Sequence, residues 1–432
     1  ENLKITGNAA FESTEKSVEV GNDLEIIGNA NFANTVTTGN NLTIEGDEII
    51  INGAVIAGKS DPFTEGSILL TGITKITANS LFATKDITLN ANVIETADLI
   101  AKNITIQGTT IKNAALIATE NIFINKDSEV LDQTLNITGD VSSNNFEAVA
   151  KTQTFGGTIS VTNDFISKGE SLIFAKAVAV KNDFILEGET FVFSDTITVD
   201  NDFSCKGTQF DFSKSVTAKY MNLFGDEITF AGKVSVKQDA KIQNTGLLKI
   251  SDFVYGKSFV QKGSESEIGQ VMILGSFEQY EESGESENPT ATFGSNVYFY
   301  NSSQNLSPIT IGSDKSYITI KENLIIAKSK ENDVAIKGTV KSKNFALFSG
   351  NVDLSGNLST EKDVVILGEN YSLKDDQTGI ENLYSYTENR PAHWSQASYT
   401  FETSLPDGTE ISKNYAGTVK VAQGKSITVK KN

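Results

Sequence analysis

The stretch "NDFILEGETFVFSDTITVDNDFSCKGTQFDFSKSVTAK", running from Asn182 to Lys219, says nearly the same thing twice. Each half opens with Asn-Asp-Phe and places a glycine at its seventh position, Gly188 and Gly207. Each sets Phe-x-Phe at its tenth and twelfth, Phe191/Phe193 and Phe210/Phe212. In the first half the apolar pairs Phe184/Leu186, Phe191/Phe193 and Ile197/Val199 are each spaced by two, which is the alternation of a strand and not of a helix. Turn-prone residues stand between them: Gly188, Ser194-Asp195 and Asp200-Asn201. Three short strands and three turns in nineteen residues describe one triangular coil of a parallel β-helix.

Working outward, the same opening recurs along the chain: Asn, Lys or Glu, then Asn or Asp, an apolar residue, and Gly four places later. It is found from Glu1 to Gly275 and resumes at Glu322, Lys343 and Lys362. Between Asn163 and Gly275 successive starts are 18 or 19 residues apart, and a fixed period of about twenty residues is the mark of a solenoid. The predicted fold is all-β, a right-handed parallel β-helix with three short strands in each coil of about 18–19 residues. Stacking would place Phe165, Phe184 and Phe203 in one internal column, and Phe174, Phe193, Phe212 and Phe230 in another. Cys205 takes an inward position and reads as a small core residue.

The repeat is interrupted in places. The expected organisation is a β-helix over 1–274 with loop insertions near 51–65 and 140–160, then an irregular acidic and aromatic insertion over 275–321. A second β-helical stretch covers 322–370, a non-repetitive segment or cap 371–415, and a terminal strand 416–432. The five prolines, at 62, 289, 308, 391 and 406, all fall in or beside these interruptions, as residues that break strand ladders should.

Composition narrows the function. Net charge is −19 and Arg390 is the one arginine, which argues against nucleic acid and anionic lipid as partners. No apolar run is long enough for a transmembrane helix, so no membrane insertion is expected of this segment. No signal peptide is visible, and the chain opens inside a repeat, so a segment of a longer protein is expected. One cysteine and one histidine leave little for a zinc or nucleophilic centre, and no phosphate-binding glycine loop is present. No catalytic residue, cofactor or metal is assigned.

Two places depart from the repeat in ways that suit recognition. The acidic run "EQYEESGESENP" groups Glu278, Glu281, Glu282, Glu285 and Glu287 in what reads as a solvated loop, and "VYFY" follows it. The segment "RPAHWSQ" holds the chain's single Arg, His and Trp. The candidate interaction residues are therefore Glu281, Glu282, Tyr298, Phe299, Tyr300, Arg390, His393 and Trp394. The pairs Asp47-Glu48 and Asp226-Glu227, each in "GDEI", read as polar turns.

The period, the Asn-Asp-apolar start and the scarcity of cysteine and proline resemble filamentous haemagglutinin-type bacterial surface proteins. That resemblance covers roughly residues 1–370 and is one of repeat style. It implies a long secreted β-helical rod displaying adhesive regions, and an extracellular or outer-surface location in a bacterium. The Lys/Asn/Ile-rich, Arg-poor composition suits an AT-rich bacterial genome. The expected role is structural and adhesive. Partners would be other copies, head to tail or side by side in a filament, and a host or bacterial receptor or glycan. The alternative is a polysaccharide-binding or polysaccharide-degrading β-helix, a lyase or tail-spike-like depolymerase.

Overall fold

The structure is a computed structural model, and it describes residues 1–255 apart from 61–62, 127 and 130–131. Beyond 255 it describes 258–262, 265–273, 276–280, 290–294, 297–300, 309–327, 333–348, 351–353, 357–360, 363–367, 370–372, 382–386, 409–412 and 427–430. The chain forms parallel coils of a β-solenoid, about 15 turns at a spacing of about 19 residues, with no helix among the described residues. It divides into two compact units, Glu1–Lys214 and Ser215–Asn432.

In the first unit the coil from Asn182 is as its sequence reads: strands Phe184–Glu187, Thr190–Phe193 and Ile197–Val199. Each pairs in parallel with the equivalent strand one coil away, so that Phe165 faces Phe184 and Phe184 faces Phe203. Because the register is conserved, every inward position becomes a column. The first inward column passes from Leu24 and Leu42 through Ile68, Ile87, Ile104 and Ile122 to Phe146, Phe165, Phe184 and Phe203. All of these side chains are essentially inaccessible to solvent.

The change from aliphatic to aromatic columns alters how the core is held. Phe146 stacks on Phe165 at 4.5 Å, and Phe155, Phe174, Phe193 and Phe212 stack in sequence at 5.0, 4.7 and 4.8 Å. The two columns meet edge to face, Phe184 against Phe174 at 5.8 Å and against Phe193 at 6.2 Å. Such contacts add about 0.5–1.5 kcal/mol per pair beyond burial. Cys205 occupies the position of Leu186 one coil on and is buried, and burial pushes its thiol pKa well up.

The recurring glycine is explained by closeness of the coils. A Cβ on Gly188 would lie 2.1 Å from the carbonyl oxygen of Gly169, so any side chain there would force successive turns apart. The Asn-Asp start also stacks. Asn103 donates to Asp86 (2.9 Å), Asn121 to Asn103 (2.8 Å), Asn145 to Asn121 (2.9 Å) and Asn163 to Asn145 (2.7 Å). Each amide offers a donor and an acceptor, so a column of them can satisfy itself at the coil spacing.

In the second unit Met221, Ala240 and Phe259 form one column, and Ile228, Leu248, Ser266, Ala291, Ile318 and Val340 another. Phe230 is buried in this unit.

Four expected boundaries are corrected. Residues 140–160 are no insertion: Val141–Ser143, Asn145–Val149, Thr152–Phe155 and Ile159–Val161 are in-register coil strands. Their disguise is chemical, because Gln153 takes an inward position that holds leucine in the flanking coils. Its amide is satisfied inside, donating to the carbonyls of Ala150 and Lys168 and accepting from Ser167. Within 275–321, strands Ser276–Tyr280, Thr290–Phe293, Val297–Tyr300 and Ile309–Ile311 continue the parallel stack. The repeat also extends past 371, since Asn382–Tyr386 pairs with Asp363–Leu367. The insertion near 51–65 is narrower than expected, with a small antiparallel hairpin of Lys59–Ser60 and Phe63–Thr64. At the end of the sequence Ile427–Lys430 is a strand, parallel to Thr409–Ser412.

Two substitutions test this account. Phe184→Ala should destabilise the first unit by about 3–5 kcal/mol, read from denaturant unfolding, because it opens a cavity between two aromatic columns. Asn121→Ala removes both a donor and an acceptor from the amide ladder and should cost about 1–3 kcal/mol in the same measurement. An Asn121→Ala midpoint equal to wild type would show that the ladder contributes nothing.

Candidate functional site

Of the candidate interaction residues, Tyr298, Phe299 and Tyr300 lie on the strand Val297–Tyr300. It is a coil strand, in register with Met272 and Ile273 on one side and Ile325, Ile326 and Ala327 on the other. The aromatic run therefore belongs to the stack and not to an irregular insertion. Glu281, Glu282, Arg390, His393 and Trp394 lie outside the described residues.

The carboxylate pairs serve the corners. Asn29 accepts from the backbone N–H of Asp47 (2.7 Å) and of Glu48 (3.1 Å), and Asp47 accepts from the Thr74 hydroxyl (2.6 Å). Asp226 likewise accepts from the Thr245 hydroxyl. Among the described residues no three His, Cys, Asp or Glu side chains are grouped closely enough to hold a metal ion. Among them also, no helix is long and apolar enough to cross a membrane.

Two surface features of the first unit are not turns repeated for stacking alone. The first is a polar groove of about 430 Å³ along the corner between the first and second strands of four successive coils. At one end lie Gly72 and Ile73, where the corner is enlarged and the register shifts between Gly72 and Lys75. At the other lie Asn125, Ser128 and Gln133 of a longer connection. Between them the corners are tight, Ala91-Asn92 and Gly108-Thr109, and form a floor. The groove's far end is set by Asn125, buried and in the left-handed backbone region at φ 51°, which asparagine tolerates better than most residues. Its amide accepts from the N–H of Gly108 (2.9 Å) and donates to that residue's carbonyl (3.0 Å), extending the ladder by one side-chain rung.

The second feature is an outward apolar column on the third strands. Ile56 is in register with Phe82, Phe82 with Ile100 and Ile100 with Ile117. All four are exposed, by 36% to 42%. Earlier and later coils carry Thr37 and Ser142 at this register. Two ion pairs, Lys85–Glu65 at 3.4 Å and Lys102–Glu120 at 3.3 Å, involve residues of the same coils.

Sequence reasoning passed over both features. The apolar column is visible in retrospect in "VIA", "LFA", "LIA" and "LIA", whose middle residue breaks the apolar-polar-apolar rule. The groove has a weaker trace, amides crowded at one corner in "LNAN" and "IQGT". Beside the groove a charged trio bridges coils: Lys75 to Glu95 at 2.8 Å and Lys112 to Glu95 at 3.2 Å.

Comparison with protein-family models, curated proteins and solved structures finds no match. The class is therefore set by the fold, a β-solenoid.

Hydrogen bonds from Lys75 and Lys112 hold the Glu95 carboxyl below its ordinary pKa. A depressed folded-state pKa adds stability that is present above the unfolded pKa and disappears as pH falls through the folded one. Glu95→Gln should therefore be less stable than wild type near neutrality, with the gap closing as pH falls through the carboxylate range. Thermal melts across that range would show this, and a gap independent of pH would contradict it.

Proposed function

We propose that this chain is a structural and adhesive segment of an extracellular bacterial surface or filament protein, a β-helical rod that presents loops and corners to partners. The observation that supports it is the use of side chains within each unit. Inward columns, corner amides and cross-coil ion pairs are spent on holding one coil against the next. A fold built this way yields length and stiffness from nearest-neighbour contacts. The acidic, lysine-dotted surface suits a soluble extended body. Partners in this reading are further copies in a filament and a receptor or glycan on host or bacterial cells.

The second reading is a polysaccharide-binding or polysaccharide-degrading β-helix. The groove at the first-to-second-strand corner favours carbohydrate contact. Degradation asks for carboxylates flanking a glycosidic bond, and none of the described residues that line this groove is acidic.

Incubation of the purified chain with host and bacterial glycans should release no oligosaccharide, and antibody labelling of intact producing cells should decorate their surface. Released oligosaccharide would favour the degrading enzyme. Labelling confined to permeabilised cells would overturn the surface role.

A further inference from the structure

From the polar groove of the first unit, we propose that it is a binding site for a neutral oligosaccharide. The inference goes beyond the structural role and stands whichever way the chain is displayed. Three observations carry it.

The first is chemical. Charged residues make up 21% of the chain, and none of the described residues that line the groove is charged. Asn90, Asn92, Gln107 and Thr109 are exposed along it and supply uncharged donors and acceptors. A charged ligand would find no countercharge among these described lining residues, whereas sugar hydroxyls, like primary amides, both donate and accept.

The second is that these amides are idle. Along the neighbouring corner Asn103, Asn121, Asn145 and Asn163 bond to one another from coil to coil. The side chains of Asn90, Asn92 and Gln107 make no hydrogen bond among the described residues. Asn90 and Gln107 are nevertheless in register on adjacent strands. Amides stacked at the coil spacing without using one another are a row of free hydrogen-bonding groups.

The third is shape. The enlarged corner at Gly72–Ile73 and the longer connection holding Asn125, Ser128 and Gln133 bound a floor of tight turns. Gly108 keeps that floor low, since a Cβ there would lie 2.7 Å from the carbonyl oxygen of Ala91. Four coils span roughly 14 Å at about 4.8 Å each, room for a short stretch of a linear polymer with one hydroxyl-bearing unit per coil. Ile73, 72% exposed, offers an apolar pad for a sugar's C–H face. A peptide would need apolar pockets for its side chains, and beyond Ile73 and Ala91 the described lining residues offer none. With no aromatic ring among the described lining residues, affinity should be weak, with a dissociation constant on the order of 1 mM.

Saturation-transfer NMR on the full chain, with cellotetraose, maltotetraose and chitotetraose as neutral probes and a tetragalacturonate as the acidic one, tests this. At least one neutral probe should bind at millimolar concentration, and the acidic one more weakly. Asn92→Ala combined with Gln107→Ala should reduce that binding tenfold or more without changing the melting temperature, while Asn136→Ala on the second strand's outer face should leave it unchanged. Should the double variant melt early, the near-isosteric Gln107→Glu carries the same expected loss. Failure of all neutral probes, preference for the acidic one, or binding that survives these substitutions would overturn the site. None of these outcomes bears on surface labelling or glycan release, so the site and the structural role can fail separately.

Discussion

The parallel ladder between coils is the constraint from which the rest follows. Strands about 4.8 Å apart, held in register, oblige each side chain to live beside its counterpart one coil away. Every position must therefore tolerate its own chemistry as a neighbour. Apolar groups do so readily, phenylalanine by parallel stacking and aliphatic residues by contact, and both fill the core of the first unit. Asparagine does so by joining donor to acceptor. Charge does not, because like charges directly opposite repel. On several strands the chain resolves this by alternation: Lys4 faces Glu25, Glu95 faces Lys112, and Lys168, Glu187 and Lys206 follow one another in register. Each exposed pair is worth about 0–1 kcal/mol, so the gain lies mainly in the repulsion avoided.

That constraint also decides how much was legible beforehand. Where a position stacks on its own kind the sequence repeats itself, and the coil from Asn182 was readable strand by strand. Legibility failed where the ladder persisted and its usual chemistry did not. In 140–160 the backbone keeps register while Gln153 replaces an apolar residue, its hydrogen bonds, one of them from Ser167 of the next coil, closed inside the core. The pattern of side chains vanished there, but the hydrogen-bonded rungs, which are made by backbone, did not. The same holds for Thr290–Phe293 and Val297–Tyr300, whose strands are ordinary and whose connecting stretches are long. A period measured from start to start registers a long connection as a lost coil.

For the site, the sequence drew attention to rare residues, and rarity is a poor guide in a solenoid. Tyr298, Phe299 and Tyr300 look unusual as a run, yet they sit at the register of Ile325, Ile326 and Ala327. What distinguishes the groove is not residue type alone, since asparagine also recurs at the start of many coils. It is that, among the described residues, the amides of Asn90, Asn92 and Gln107 have no side-chain hydrogen-bond partner where Asn121 and Asn145 are paired. Only the cross-coil geometry separates a stacking amide from an idle one.

The same reasoning bears on why recognition would sit at a corner at all. An outward position on a strand is held between its counterparts one coil above and below, so changing one residue changes a single rung of a flat face. A corner can lengthen, as at Gly72–Ile73 and beyond Asn125, while the strands on either side keep their register. Variation there carries little cost in the stack, and it creates relief where the faces are flat. In this solenoid the ladder fixes the faces, and the freedom left to the chain is concentrated at the turns, where a groove can be shaped without disturbing a single column of the core.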